Sequence, residues 1–331
     1  MVFFMCTSIA MTSDCFYFGR NMDWECGMGE QVVVTPRRFP FHFRKAQPME
    51  RHYAMLGMGM LDVGYPLYAE ASNEKGLCMA GLNFPQNAWY ATQPDPVKNN
   101  ISPFELIPWV LGQCATLGEA RCLLENTWLV AVPFSPQVGL SPLHWHIADR
   151  SGSIVLESTR DGMHIYDNPV GVVTNNPPFP FQLQNLCQYL NLSPGTPSNC
   201  FSAIDGLEPF GYGLGSVGLP GDFSPASRFV KAAYLAANSI CHGDEESCLS
   251  QFFHLLGAVA MVRGSVVTPE GKLETTTYTC CINVTKGRYY YTSYHNSGLT
   301  GVDLYSEDLE GERLVCYPIE QKAAVKWQNR R

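Results

Sequence analysis

The sequence predicts an α+β fold in which antiparallel sheets are covered by helices on their outer faces. Three observations predict it. The segment up to about residue 85 reads as β-rich. Strands, helices, strands, helices and strands then follow in blocks, which is not the strand–helix alternation of a doubly wound parallel sheet. No Pro/Gly/Ser-rich linker or internal repeat divides the 331 residues, so one domain is expected over residues 6–331.

In chain order, Phe16–Gly19, Gln31–Thr35 and Cys78–Asn83 carry the β-branched and aromatic content of strands. Residues 104–125 read as a helix, with Phe104, Leu106, Val110, Leu111, Leu117, Ala120, Leu123 and Leu124 at near-helical spacing. A meander is expected next: Leu143–Asp149, Ile154–Ser158, Met163–Tyr166 and Val170–Thr174, separated by turns such as Arg150-Ser151-Gly152 and Arg160-Asp161-Gly162. Ser224-Pro225 marks a helix start, a capping serine followed by proline at the first helical position. Phe229, Ala233, Ala236 and Ile240 then share a face, and residues 246–259 form another helix. Strands return at Glu274–Val284, Arg288–Tyr294 and Gly301–Tyr305.

Composition excludes several classes. Lysine plus arginine number 22 against 30 acidic residues, a formal net charge of −8, so no basic stripe is available to displace counterions from a nucleic acid. A hydrophobic content of 46% excludes a disordered chain. No apolar run of about 18 residues is present, so no membrane helix is expected. Met1–Met5 is apolar but too short and uncharged for a signal peptide, and a cytoplasmic protein is expected. The triplets at Asn100, Asn191 and Asn283 are then chance matches to a glycosylation signal. The 13 cysteines are odd in number and scattered, unlike a disulfide scaffold, and most are expected to be buried thiols. His144 and His146 share a strand face but have no third ligand at metal spacing, so no metal is expected. Gly213–Gly218 matches G-x-G-x-x-G, yet no clear strand precedes it and Leu219-Pro220-Gly221 cannot open a helix. It reads as a glycine-rich loop near a binding cleft rather than a dinucleotide site.

One cysteine stands apart. An early Cys in Met5-Cys6-Thr7 is on its own an ordinary residue. If the mature chain starts at Cys6, however, the thiol is a nucleophile and its own α-amine, with a pKa near ~8, can move the proton. Downstream, Phe18-Gly19-Arg20-Asn21-Met22-Asp23-Trp24 holds an arginine and an aspartate three apart. They form either a surface salt bridge or a charge pair beside the nucleophile, Arg20 favouring the thiolate and Asp23 holding the amine.

The chain resembles the choloylglycine hydrolase family, the N-terminal-nucleophile (Ntn) amidases that include bile salt hydrolases and penicillin V acylases. The resemblance rests, in order, on Met5-Cys6-Thr7, Phe18–Asp23, Asn73-Glu74-Lys75-Gly76-Leu77, Ala80–Pro85, Val173–Pro177, Gly218–Phe229 and Val259–Gly264, which together span nearly the whole chain. It implies a four-layer αββα sandwich with two antiparallel sheets and an amidase that needs no cofactor. By the same resemblance Cys6 is the nucleophile, and Arg20 and Asp23 position its thiol and amine. Asn83, through its backbone N–H, and Asn175, through its side chain, are oxyanion donors. Arg228 is a second arginine near the nucleophile.

Family members usually begin Met-Cys. This chain adds Met1–Phe4 in front, and residues 1–5 are expected to be absent from the mature protein. Asn83, where penicillin V acylases tend to carry tyrosine, favours conjugated bile salts as the small-molecule substrate. Penicillin V or an N-acyl homoserine lactone are the alternatives, as is a non-catalytic binding protein if Cys6 stays blocked. Motif position puts Met22, Met60, Leu61, Phe134 and Val138 in an apolar acyl pocket, or else in ordinary core. The family implies a homotetramer or a dimer.

Overall fold

Residues 5–27, 29–241 and 243–329 are described by a computed structural model. Met1–Phe4, most of the expected leader, lie outside the described residues. The chain opens with strands β1 (Met5–Thr12) and β2 (Phe16–Trp24), followed by β3 (Gln31–Thr35), β4 (Met55–Asp62), β5 (Tyr65–Asn73) and β6 (Cys78–Asn83). Helices α1 (Leu106–Gln113) and α2 (Leu117–Glu125) are bracketed by the short parallel pair β7 (Asn99–Ile101) and β8 (Thr127–Leu129). The meander is β9 (Leu143–Asp149), β10 (Gly152–Thr159), β11 (Gly162–Asp167) and β12 (Val172–Val173). Then come α3 (Phe179–Leu186), α4 (Pro225–Ala237) and α5 (Glu245–Gly257). The chain ends with β13 (Val266–Val267), β14 (Leu273–Asn283), β15 (Arg288–Ser293), β16 (Asn296–Asp303) and β17 (Val315–Pro318).

Two antiparallel sheets result. The first runs β12-β1-β2-β14-β15-β16, with β13 beside β14, and the second runs β11-β10-β9-β6-β5-β4-β3-β17. Helices α4 and α5 pack on the outer face of the first sheet, with α3 against α4, and α1 and α2 pack on the outer face of the second. This is the αββα sandwich that the resemblance implies. Among the described residues no helix is long and apolar enough to cross a membrane.

Strand β2 shows why the layers form. Apart from Trp24 it is buried along its whole length, so both faces must be covered. Its alternation sends Phe18, Arg20 and Met22 toward the second sheet and Tyr17, Gly19, Asn21 and Asp23 toward the helices. Phe18 lies 5.1 Å from the His146 ring on β9, whereas Tyr17 lies 6.3 Å from Phe252 on α5. Asn21 Nδ2 donates to Leu256 O at the end of α5 (2.8 Å). Gly19 is pressed by both β14 and α5. A Cβ there would stand 2.0 Å from Cys280 O and 2.8 Å from Phe252 Cε1.

The capping signals act as read. Ser224 caps α4 by accepting from Ser227 N–H, with Pro225 in the first turn. Several elements differ from expectation. The single helix over 104–125 is two helices, because Thr116 turns the chain out and caps α2 by accepting from Glu119 N–H. The β4–β5 hairpin falls in the segment read as β-rich, but its strands are not individually legible: β4 is rich in Met and Gly, and the turn uses Val63 at φ 42° ahead of Gly64. Helix α3 was missed because its Pro180 reads as a breaker, although proline is tolerated in a first turn. The strand expected over 170–174 shrinks to Val172–Val173, and the last expected strand extends back to Asn296.

The cysteines are all free. Six are buried, three half-buried and four exposed, so burial accounts for fewer of them than expected. Asn283 is itself buried and caps a turn through Lys286 N–H. The Gly213–Gly218 loop lies on the surface around a short 3-10 turn, with Gly213 and Gly218 at positive φ.

Gly19→Ala should destabilise the protein by about 3 kcal/mol, because the carbonyl in its way is backbone in a central strand and cannot rotate aside. Urea unfolding checks this; a midpoint equal to wild type would contradict the close packing at Gly19.

Candidate active site

Cys6 is the second residue of β1 and pairs with Met22 of β2, which puts its side chain on the face toward the second sheet. It is completely buried. Arg20, two residues before Met22 on the same face, donates from Nη2 to the Cys6 sulfur. Nη1 donates to Gly81 O (2.6 Å) and Ala69 O (3.2 Å), both on the second sheet. Nη2 also lies 3.6 Å from Met22 Sδ, and Nε lies 3.7 Å from Glu70 Oε2. The Asn83 backbone N–H also acts on the sulfur, in the sense that favours its charged form.

The other face of β1 and β2 carries a second group of charges. Asp23 accepts from Thr276 Oγ1 at Oδ1 (2.5 Å), and its Oδ2 lies 3.9 Å from Arg228 Nη1 with no hydrogen-bond partner of its own. Arg228, in the first turns of α4, donates from Nη1 to Cys6 O and Thr7 Oγ1 (both 2.6 Å) and from Nη2 to Asn175 Oδ1 (2.8 Å). Arg20 and Asp23 therefore do not pair with each other. Three residues apart in a strand, they project to opposite faces, and each finds a different partner, Glu70 for Arg20 and Arg228 for Asp23.

Asn175 joins the two groups. Its Oδ1 accepts from Cys6 N–H (3.0 Å) as well as from Arg228, and its Nδ2 donates to Asn83 O (2.7 Å). The amide nitrogen is thus engaged on Asn83 and would have to leave that carbonyl to serve an oxyanion. His144 fixes the same two arms from behind. Its ring stacks on Phe84 at 4.4 Å, next to Asn83, and its Nε2 lies 3.0 Å from Thr174 O, next to Asn175. Its Nδ1 lies 3.2 Å from Glu157 Oε1. Asn176 Nδ2 to Pro85 O (2.6 Å) adds a further tie. His144 and His146, which share a strand face, both have polar partners of this kind, and among the described residues no cluster suited to a metal ion occurs.

Electrostatics follow from burial. The Cys6 thiol is pushed up, chiefly by desolvation and further by Asp23. Arg20, the Asn83 N–H and Arg228 act to lower it. With the site covered, the thiol is therefore neutral rather than the low-pKa thiolate that Arg20 alone would give. Asp23 is raised by burial against the pull of Arg228, Thr276 and Arg20. Glu274 accepts Met5 N–H at 2.7 Å and is pushed up to about 7, mainly by burial. It sits where the chain passes into Cys6.

The expected acyl-pocket residues divide. Met22 is buried beside the thiol. Met60 and Leu61 are half-buried near the tip of the β4–β5 hairpin. Phe134 packs on Tyr65 of that hairpin (5.8 Å) and on Phe104 (5.2 Å), under the Arg44 guanidinium. Val138 is half-buried in the same loop and bonds to Ser135. A cavity of about 340 Å³ opens among Glu25, Glu30, Arg263, Tyr278 and His295, and its wall includes neither Cys6 nor Met22, Met60, Leu61, Phe134 or Val138. Sequence reasoning missed Glu70, Thr276 and Glu274. An acidic residue inside the strand Tyr68-Ala69-Glu70-Ala71 was the available signal for the first.

A cysteine thiol between a guanidinium and a backbone N–H, on an αββα sandwich, places the chain with amide-cleaving hydrolases. Residues 6–317 match the model of the linear amide C–N hydrolases, choloylglycine hydrolase family. The chain belongs to this family. It is 47% identical to a bile salt hydrolase/transferase of Lactiplantibacillus plantarum, over 96% of this chain and 98% of that protein. It is 38% identical to the bile salt hydrolase/transferase of Clostridium perfringens, over 98% and 100%. A crystal structure of a variant of the conjugated bile acid hydrolase from C. perfringens superposes with a TM-score of 0.91 at 37% identity, covering 98% of this chain and 100% of that one. Penicillin V acylase from Agrobacterium tumefaciens shares the fold, with a TM-score of 0.74 at 21% identity over 94% and 90%.

His146 is fully buried between Ser8 Oγ (2.9 Å) and Ser153 Oγ (3.1 Å), and burial, then the neighbouring His144, pushes its pKa down to about 3. A histidine depressed in the folded state stabilises fully above its unfolded pKa of about 6.5 and loses that contribution as pH falls toward 3. Urea unfolding across this window should show a slope of up to about 1.4 kcal/mol per pH unit that His146→Gln removes. Parallel profiles for the two proteins would contradict a neutral His146.

Proposed function

We propose that this chain is a bile salt hydrolase that cleaves the amide bond of glycine- and taurine-conjugated bile acids. The observation that carries the reading is the contact of Arg20 Nη2 with the Cys6 sulfur, in a family of amide hydrolases whose closely similar members are named for bile salts. In this reading the mature chain begins at Cys6. Residues 1–5 are gone, and the freed α-amine lies beside Asn175 Oδ1, with Asp23, whose Oδ2 accepts no hydrogen bond, on the neighbouring strand.

The amine takes the thiol proton and the thiolate attacks the amide carbonyl carbon. The Asn83 N–H, and Asn175 Nδ2 once released from Asn83 O, donate to the tetrahedral oxyanion; losing one such donor typically costs about 10²–10³ in rate. The C–N bond breaks, and the leaving amine departs with the proton returned from the α-amine. Water, deprotonated by the same amine, then hydrolyses the thioester to free bile acid and restores the thiol. Arg20 favours the thiolate, Asp23 and Arg228 hold the N-terminus, and no cofactor takes part. Met22, Met60, Leu61, Phe134 and Val138 supply apolar surface to the steroid once the site opens. The protein works in the cytoplasm as a homo-oligomer, a tetramer or a dimer.

Amine release from glycocholate and taurocholate should exceed that from penicillin V by about tenfold or more, a transition-state preference of about 1.4 kcal/mol. Cys6→Ala should abolish turnover while unfolding at the wild-type urea midpoint. A preference for penicillin V would overturn the substrate assignment, and turnover by Cys6→Ala would overturn the nucleophile.

A further inference from the structure

Glu70 carries a fully buried carboxylate between the two sheets, where an ionised group is costly unless its oxygens are satisfied. Every polar side chain around it can donate. Tyr278 O–H donates to Oε2 (2.8 Å), Tyr289 O–H to Oε1 (2.6 Å) and the Cys280 thiol to Oε1 (3.5 Å). Arg20 Nε stands 3.7 Å from Oε2. Tyr278, Cys280 and Tyr289 come from β14 and β15, so the first sheet supplies the donors and the second supplies the carboxylate.

A guanidinium is a rigid plane, so fixing two of its nitrogens fixes the direction of the third. Nη1 is held by Ala69 O and Gly81 O, and Ala69 is the residue before Glu70. Nε donates to Asn21 O (3.4 Å) and stands 3.7 Å from Oε2 of the Glu70 carboxylate, close enough for its charge to act on the guanidinium. What remains free to turn toward β1 is Nη2, and it meets the Cys6 sulfur. We infer that Glu70 is a positioning residue for the amidase reaction: braced by Tyr278 and Tyr289, it holds Arg20 in the plane that presents Nη2 to Cys6. The inference rests on Cys6 as the nucleophile, and it assigns Glu70 no contact with substrate.

Two roles compete. If Glu70 only neutralises a buried arginine, its loss lowers stability and leaves the thiol alone or, by removing a negative charge, eases thiolate formation. If Glu70 positions Arg20, its loss costs Cys6 a stabilising contact and thiolate forms at higher pH. The variants are Glu70→Gln, which keeps shape, and Tyr289→Phe, which keeps the charge but removes one brace on a strand that does not carry Cys6. Iodoacetamide alkylation of the Cys6 peptide, followed against pH by mass spectrometry, reads the thiol without substrate and separately from the other cysteines. Steady-state kinetics with glycocholate accompany it.

In Glu70→Gln the alkylation midpoint should move up by about 0.5 or more and kcat should fall about tenfold with KM within about twofold, and Tyr289→Phe should show smaller changes of the same sign. A midpoint that stays put or moves down overturns the inference, whatever the change in Tm. If Glu70→Gln does not fold, Tyr289→Phe decides by the same criterion. Absence of glycocholate turnover in the wild type would instead sink the bile salt reading, and the alkylation profiles would still decide the role of Glu70.

Discussion

A guanidinium buried between two β-sheets is the constraint on which the site depends. Arg20 cannot lose its proton, so the N–H groups along the edges of its plane must meet an acceptor or an anion. Its own strand provides the Asn21 carbonyl, at 3.4 Å from Nε, and the weak acceptor Met22 Sδ, at 3.6 Å from Nη2. The rest comes from the second sheet, as the carbonyls of Ala69 and Gly81 and the carboxylate of Glu70, and from the thiol of Cys6. The two sheets must therefore pack in one register for Arg20 to be satisfied at all. Correct packing of the sandwich and correct placement of the thiol are the same event.

Strand β2 does its work on both faces. The inter-sheet face carries the group that meets the sulfur, and the helix-facing side carries Asp23, which with Arg228 surrounds the backbone of residues 6 and 7. In the proposed reaction this division lets the thiol and the amine of residue 6 be served from different sides of one strand. Asn175 bridges the two sides, and His144 clamps the segments bearing Asn83 and Asn175 together. A side chain of strand β9 thus ties the end of β6 to the loop that carries Asn175.

Much of this was legible in the sequence. The layered α+β class followed from blocks of strands and helices, and the start of α4 from Ser224-Pro225. The six candidate catalytic residues come together around Cys6, although they are drawn from four separate parts of the chain. What could not be read were pairings set by tertiary structure. Arg20 and Asp23 looked like one charge pair because spacing in sequence was read as contact, whereas a strand sends residues three apart to opposite faces. Glu70 drew no notice because its partners lie more than 200 residues away on β14 and β15. Burial around Cys6, which raises the thiol despite Arg20, depends on the closed sandwich and leaves no mark in local sequence.

The central claim is that Cys6, as the first residue of the mature chain, forms a thioester with the bile acyl group. Acid quenching during glycocholate turnover, followed by proteolysis and mass spectrometry of the N-terminal peptide, tests it directly. The account predicts a peptide that begins at Cys6 and carries the cholyl group on its sulfur, released by hydroxylamine. A cholyl group on any other residue, or an active protein whose Cys6 peptide still carries Met5, would contradict it.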